Sequence, residues 1–295
     1  MTDPRARAGV LYAGGAFFIW GIVPLYFAKL RAVSPFEVIA HRVIWSVLFL
    51  AALVGGTGGI RHVRAALGTP RLAGGLAITS ALVAVNWLTF VWAVNAGRVL
   101  ETSLGYFITP QVNVLLGFLF LRERLRPWQW VAVGLAAAGV INQIATLGQL
   151  PWISLVLAFS FGCYGLLRKQ IPVDSMTGLL VETIVAAPFA IAYLAWLWRG
   201  NALGFGSHGW ITDAMLISLG VVTAVPLLLF AAGTQRLRLV TIGFLQYIAP
   251  TMTFLLAIFV FGETLGRAQV ITFIVIWIGI VIYAADNVRA AGKNR

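Results

Sequence analysis

Residues 98–139 (RVLETSLGYFITPQVNVLLGFLFLRERLRPWQWVAVGLAAAG) and residues 238–279 (RLVTIGFLQYIAPTMTFLLAIFVFGETLGRAQVITFIVIWIG) are the two stretches on which the fold turns. An offset of 140 residues, the step from Pro110 to Pro250, lays Arg98, Leu115, Leu116, Glu123, Leu125, Gln129 and Gly139 onto Arg238, Leu255, Leu256, Glu263, Leu265, Gln269 and Gly279 without a gap. Apolar sequence matches itself easily, but a mid-run proline, a run-terminal glutamate and a following glutamine are not hydrophobic filler. Self-similarity at a fixed period marks a duplicated structural unit.

Ten apolar runs surround this match, at 9–30, 36–54, 72–94, 104–121, 128–144, 151–167, 177–198, 214–233, 241–261 and 268–285. Each is near the ~20 residues that a helix needs to cross a ~30 Å hydrocarbon core. They lack the alternation of membrane strands, and lipid tolerates no unpaired backbone, so the spans are helical. The fold class is an all-α membrane protein, with ten transmembrane helices divided between residues 1–146 and 147–295. Five spans per half is odd, so the second half starts on the opposite face and the repeat is inverted. Inverted repeats can exchange two conformations about a central site, which gives alternating access to the two sides of the membrane. Duplication without transport is the plainer alternative.

Composition agrees: 60% hydrophobic residues, 10% charged residues and a mean hydropathy of +0.93 leave too little polar surface for a soluble globule. The first run follows Arg5 and Arg7 but is too long for a signal peptide, and Lys29 and Arg31 follow it without a small-residue cleavage pattern. The single cysteine, Cys163, lies inside a span and reads as a packing residue, unable to support an intrachain disulfide or thiolate cluster. The net charge of +12 could suggest nucleic acid, but its distribution argues otherwise. With a cytoplasmic N-terminus, one side collects Arg5, Arg7, Arg61, Arg64, Arg71, Arg122, Arg124, Arg126, Arg168, Lys169, Arg236, Arg238, Arg289, Lys293 and Arg295. The other holds Lys29, Arg31, Arg98, Arg199 and Arg267. This asymmetry places both termini in the cytoplasm, and the basic excess serves topology and anionic headgroups.

In the fourth run Tyr106, Pro110, Asn113 and Gly117 share one helical face, and the offset carries them to Gln246, Pro250, Thr253 and Ala257. A mid-span proline bends the helix and frees a carbonyl, so both halves present a kinked polar face. Lining of a cavity and packing between helices both fit it. Pro24, Pro188 and Pro226 mark further bends. Ionisable groups inside spans are costly and point to function by default. They are His41 and Arg42 in the second run and Glu182 in the seventh. The offset places Arg42 on Glu182, yet inversion separates them in depth by on the order of 12 Å, which disfavours direct pairing. A latch and a ligand-binding role are both open for each. Glu37, at a helix entrance, reads as solvated. Trp20, Trp45, Trp87, Trp92, Tyr106, Tyr164 and Tyr247 lie within spans, and Trp45 can share a face with His41 and Arg42. Aromatic walls with few charges suit an amphipathic or aromatic solute, and ordinary packing is the alternative. Trp128, Trp130, Trp152, Trp196, Trp198, Trp210 and Trp277 read as boundary or lipid-facing residues.

The sequence contains no GxSxG, HExxH, Walker loop or GxGxxG with a following acid, so it reads as a non-enzyme without an ATP-driven engine. No cofactor or metal is implied. Energy would come from the solute gradient or an ion, and Glu182 and His41 are the intramembrane groups able to carry a proton.

Trp20-Gly21-x-x-Pro24, His41-Arg42-Val43-Ile44-Trp45-Ser46, Asn86-Trp87, Leu104-Gly105-Tyr106-Phe107-Ile108 with Pro110, and Gln246-Tyr247-Ile248-x-Pro250 resemble the RarD group of the EamA family in the drug/metabolite transporter superfamily. The resemblance runs from about residue 9 to residue 285. It implies a five-plus-five inverted repeat, a central cavity built from the first four helices of each half, and peripheral fifth and tenth helices. It also implies an inner-membrane exporter of small metabolites, with amino acids, aromatic ones among them, prominent as substrates. The expected pocket is Trp20, His41, Arg42, Trp45, Asn86, Trp87, Tyr106, Asn113, Tyr164, Glu182, Gln246 and Tyr247. Arg42 would receive a carboxylate, and Glu182 an ammonium group or a proton. Export of cationic or amphipathic toxic compounds is the alternative. A passive pore would need a continuous polar lining, and an enzyme a nucleophile–base pair. The expected partners are a small-molecule substrate and the lipid bilayer, with monomer and homodimer both compatible with the sequence.

Overall fold

The computed structural model describes residues 4–95, 99–147, 152–260 and 266–293. Arg98, Glu263, Leu265 and Arg295 lie outside these residues, as do the side chains of Thr253, Ala257 and Gln269. Among the described residues every regular element is helical. The α-helices are α1 (Pro4–Phe27), α2 (Pro35–Gly56), α3 (Ile60–Gly68), α4 (Pro70–Asn95), α5 (Val99–Leu121), α6 (Pro127–Leu147), α7 (Trp152–Gln170), α8 (Ser175–Arg199), α9 (Trp210–Thr234), α10 (Leu239–Gln246), α11 (Ile248–Phe259) and α12 (Arg267–Lys293). A 3-10 turn, Ala28–Leu30, follows α1. Helices α1, α2, α4, α8, α9 and α12 contain stretches long and apolar enough to cross a membrane.

Local chemistry sets the helix starts. Pro4, Pro35, Pro70 and Pro127 open α1, α2, α4 and α6, where a missing N–H costs nothing. Asp174 caps α8, its Oδ1 accepting from the N–H groups of Met176 at 3.0 Å and Thr177 at 2.9 Å. Burial pushes the Asp174 carboxyl up, but these bonds outweigh it and hold the group below its ordinary range.

Two elements differ from the sequence reading. The ninth run is two helices, α10 and α11, divided at Tyr247. Pro250 has no N–H for the Gln246 carbonyl and its ring crowds that turn. Its counterpart Pro110 lies inside unbroken α5, as do Pro24, Pro188 and Pro226 inside α1, α8 and α9. The basic segment after α2, expected as a loop, contains α3, which buries Val63 and Ala66 and packs on α8 and α4. A nine-residue amphipathic helix leaves no long apolar run, so a search for spans passes over it.

Packing repeats itself between the halves. Helix α5 lies along α7 and α10, while α1 lies along α10, α11 and α9. Helix α4 meets α7 and α8, and α2 meets α9 and α8. Helices α6 and α12 pack mainly on each other, and they meet the rest of the bundle where α6 lies on α5 and Tyr283 stacks on Phe244. A Cβ added at Gly139 would lie 2.9 Å from Ile276, and one at Gly279 would lie 2.9 Å from the Ala132 carbonyl oxygen. Asn142 Nδ2 donates to Thr272 Oγ1 at 3.1 Å, and Arg126 Nε pairs with Asp286 at 2.5 Å. Contacts therefore climb α6 as they descend α12, so the two helices run antiparallel. Likewise Asn113 meets Gln246, whereas Gly117 meets Leu239, which makes α5 and α10 antiparallel.

Helix contact is close where α2 meets α9: a Cβ at Gly220 would lie 2.5 Å from the Trp45 carbonyl oxygen. Gly220→Ala should therefore force the two helices apart, at a cost of about 1–3 kcal/mol by analogy with overpacked cores. Unfolding in detergent checks this, and an unchanged midpoint would contradict the close approach.

Candidate functional site

Among the described side chains, Arg42 is a buried cation with no carboxylate partner. It is 5% exposed, and its guanidinium carbon lies 3.8 Å from the centroid of the Trp87 ring on α4. Its Nε and Nη1 are buried with no hydrogen-bond partner. Trp87 and Phe90, three residues apart on α4, meet edge to face at 5.9 Å between centroids. Phe90 in turn lies 6.2 Å from Tyr106 of α5, which is 45% exposed. The arrangement is a guanidinium with two vacant donors laid on an aromatic wall. A planar guanidinium stacks on an indole while its N–H groups remain able to meet a carboxylate.

His41 and Trp45 do not join this group. Trp45 Nε1 donates to His41 Nδ1 at 3.2 Å, and the imidazole stacks on Phe205 at 5.1 Å. His41 Nε2 is 3.7 Å from Glu37 Oε1. Glu37, expected to be solvated, is only 1% exposed. Its carboxyl oxygens accept from the N–H groups of Gly204 at 2.9 and 3.0 Å and Phe205 at 3.0 Å, which replaces the water lost on burial. This cluster fastens the α8–α9 connection to the start of α2.

Glu182 has a partner that the sequence reading placed elsewhere. Arg168, assigned there to a loop, is fully buried at the end of α7, with Nε 3.6 Å from Glu182 Oε1. Glu182 also accepts from Thr79 Oγ1 at 2.6 Å and from Tyr164 OH at 3.3 Å. Ser80 Oγ donates to the Glu182 carbonyl at 2.8 Å. Gly178 makes room for the guanidinium, since a Cβ there would overlap it. Arg168 returns into the bundle because the carboxylate offers it more than a headgroup surface does, a pairing that apolar-run boundaries cannot reveal.

The remaining expected residues link helices. Trp20 packs on Phe17, Phe161 and Phe230 at 5.6, 5.6 and 5.8 Å, and Tyr164 stacks on Phe230 at 5.9 Å. Asn86 Nδ2 donates to the Leu157 carbonyl at 2.9 Å and to Ser160 Oγ at 3.0 Å. Asn113 Nδ2 donates to Gln246 Oε1 at 2.8 Å, and Gln111 Nε2 to Tyr247 OH at 2.8 Å. Thus Arg42 and Trp87 meet directly, and Tyr106 is linked to them through Phe90. Tyr164 and Glu182 form a second centre, His41 and Trp45 belong to the Phe205 cluster, and Trp20, Asn86, Asn113, Gln246 and Tyr247 bridge helices. Two apolar grooves of about 300 and 220 Å³ open beside α11–α12 and α5–α6, and Tyr247 is the expected site residue in their linings. Sequence reasoning missed Phe90, Phe161, Phe230 and Arg168. For Phe90 a signal existed, its i+3 spacing from Trp87.

A bundle with six helices long and apolar enough to cross a membrane, holding a buried charge on aromatic rings, fits a membrane transporter. The chain belongs to the EamA-like transporter family of the drug/metabolite transporter superfamily, matched over residues 7–142 and again over 150–285, and within it to the RarD group. It is 46% identical to the protein RarD of Salmonella typhimurium over 100% of both chains. An uncharacterized transporter of Vibrio cholerae is 46% identical over 98% of this chain and 96% of that one. The chloramphenicol-sensitive protein RarD of Pseudomonas aeruginosa is 33% identical over 97% and 96%. A crystal structure of another protein aligns with a TM-score of 0.71 over 93% of this chain and 96% of that one, at 18% identity, a likeness of fold alone.

Proposed function

We propose that the protein exports small metabolites, amino acids including aromatic ones, across the bacterial inner membrane by alternating access and without ATP hydrolysis. The observation that carries this reading is the Arg42 guanidinium, buried against Trp87 with two unused donors. A carboxylate would complete those donors, and an apolar or aromatic side chain would lie along Trp87, Phe90 and Tyr106. The cationic or amphipathic drugs of the alternative reading would meet uncompensated positive charge there.

Alternating access rests on two five-helix halves, 1–146 and 147–295, related by inversion, so that α10 and α11 together form one of ten spans. The antiparallel course of α6 with α12 and of α5 with α10 supports that arrangement. Both termini then lie in the cytoplasm, and C-terminal reporter fusions should be active only as cytoplasmic markers; a periplasmic signal would break the account. Glu182 is held by Arg168, Thr79 and Tyr164, which makes it a fixed point between α4, α7 and α8. Cells overproducing the protein should excrete phenylalanine, tyrosine or tryptophan faster than cells carrying Trp87→Ala at equal membrane abundance. Equal excretion, with loss of dye efflux in the variant, would favour the drug reading.

A further inference from the structure

We infer that the Arg42 site reads a carboxylate and a ring but not an α-ammonium group, so that deaminated aromatic acids are ligands of this transporter. The inference rests on the reading of Arg42 as the carboxylate receptor. Its basis is which charges near the site are already spent. Arg42 is 95% buried by its 5% exposure, and Nε and Nη1 face no protein acceptor. Around it the structure supplies Trp87, Phe90 and, next along, Tyr106. These present faces for a ring and no anionic group.

The buried carboxylates of α2 and α8 are both committed elsewhere. Glu37, on the same helix as Arg42, has its oxygens filled by the N–H groups of Gly204 and Phe205 and faces His41. Glu182 is filled by Thr79, Tyr164 and Arg168. Among the described side chains no carboxylate pairs with Arg42. A zwitterion bound here satisfies its carboxylate and strands its ammonium, and an unpaired buried charge is expensive. Removing the amino group removes that cost and leaves the contacts to Arg42 and Trp87 in place. The ligand class is therefore an arylalkanoate: one carboxylate, a short linker and one aromatic ring.

The test is calorimetric binding to the full chain in lipid nanodiscs, which avoids the passive leak of weak acids through vesicles. Phenylalanine, 3-phenylpropionate and phenethylamine differ only in which charged end they carry. The inference expects 3-phenylpropionate to bind about tenfold more tightly than phenylalanine, an order of magnitude set by the cost of one unsatisfied charge. It expects phenethylamine not to bind. Phenylalanine binding more tightly than 3-phenylpropionate would overturn the inference and leave the amino-acid reading standing. It would assign the ammonium an acceptor such as the Tyr106 carbonyl, which Pro110 cannot engage. Phenethylamine binding best would overturn both in favour of cationic substrates, and binding of none of the three would also overturn both. The wild-type series decides the matter by itself; loss of 3-phenylpropionate binding in a folded Arg42→Gln protein would then place the ligand.

Discussion

Arg168→Ala is expected to lose about 3–5 kcal/mol of stability, the range for removing one partner of a buried ion pair. The Glu182 carboxylate, 4% exposed, would be left with Thr79 and Tyr164 as its donors. That loss comes from stranded charge, so a second change should return much of it: Arg168→Met with Glu182→Gln should be more stable than Arg168→Ala alone. Denaturation in detergent by a double-mutant cycle measures the coupling. Gly178→Ala belongs to the same test, because its methyl group would occupy the place of the guanidinium. A small effect from all three would mean that the pair is dispensable and that α7 and α8 are held by apolar packing.

Arg42→Gln is expected to behave in the opposite way. Unlike Arg168, Arg42 pairs with no carboxylate among the described side chains; its Nε and Nη1 make no hydrogen bond, and its guanidinium lies on the face of Trp87. Its removal takes away a buried, unsatisfied charge, so stability should hold or rise. Transport should fall by at least about tenfold, the equivalent of ~1.4 kcal/mol, if the guanidinium meets a substrate carboxylate. Arg42→Lys should not restore it, because an ammonium cannot both stack on the indole and offer a bidentate fork. Misfolding of Arg42→Gln would instead make the residue a structural latch, the other role its position allows.

The contrast between the two arginines shows where the sequence was legible and where it was not. Ten apolar runs, a fixed offset and charge asymmetry are one-dimensional patterns, and lipid makes them unusually informative because a span has little choice but to be helical. Paired glycines such as Gly139 and Gly279 are legible for the same reason, as repeated positions. The break at Tyr247 was half legible: Pro250 announced a disturbance, but the same proline signal at Pro110 sits in an intact helix.

Side-chain partners were the illegible part. Arg42 and Arg168 differ in sequence chiefly in being within or at the edge of a run, and that cue placed one correctly and the other in water. Glu37 was misread for the same reason, since its backbone donors, Gly204 and Phe205, come from the other half of the chain. His41 adjoins Arg42 in sequence, yet the step of one residue around a helix sends them to different neighbours, Phe205 and Trp87. Spacing can say that residues share a face; it cannot say which helix the face meets.

Uptake of labelled phenylalanine into proteoliposomes holding the wild-type protein, beside vesicles holding equal amounts of folded Arg42→Gln, tests the central claim most directly. Saturable uptake by the wild type that disappears in the variant is the predicted result. Equal uptake by both, or none by either, would contradict the assignment of Arg42 and the aromatic wall as the place where a carboxylate substrate is held.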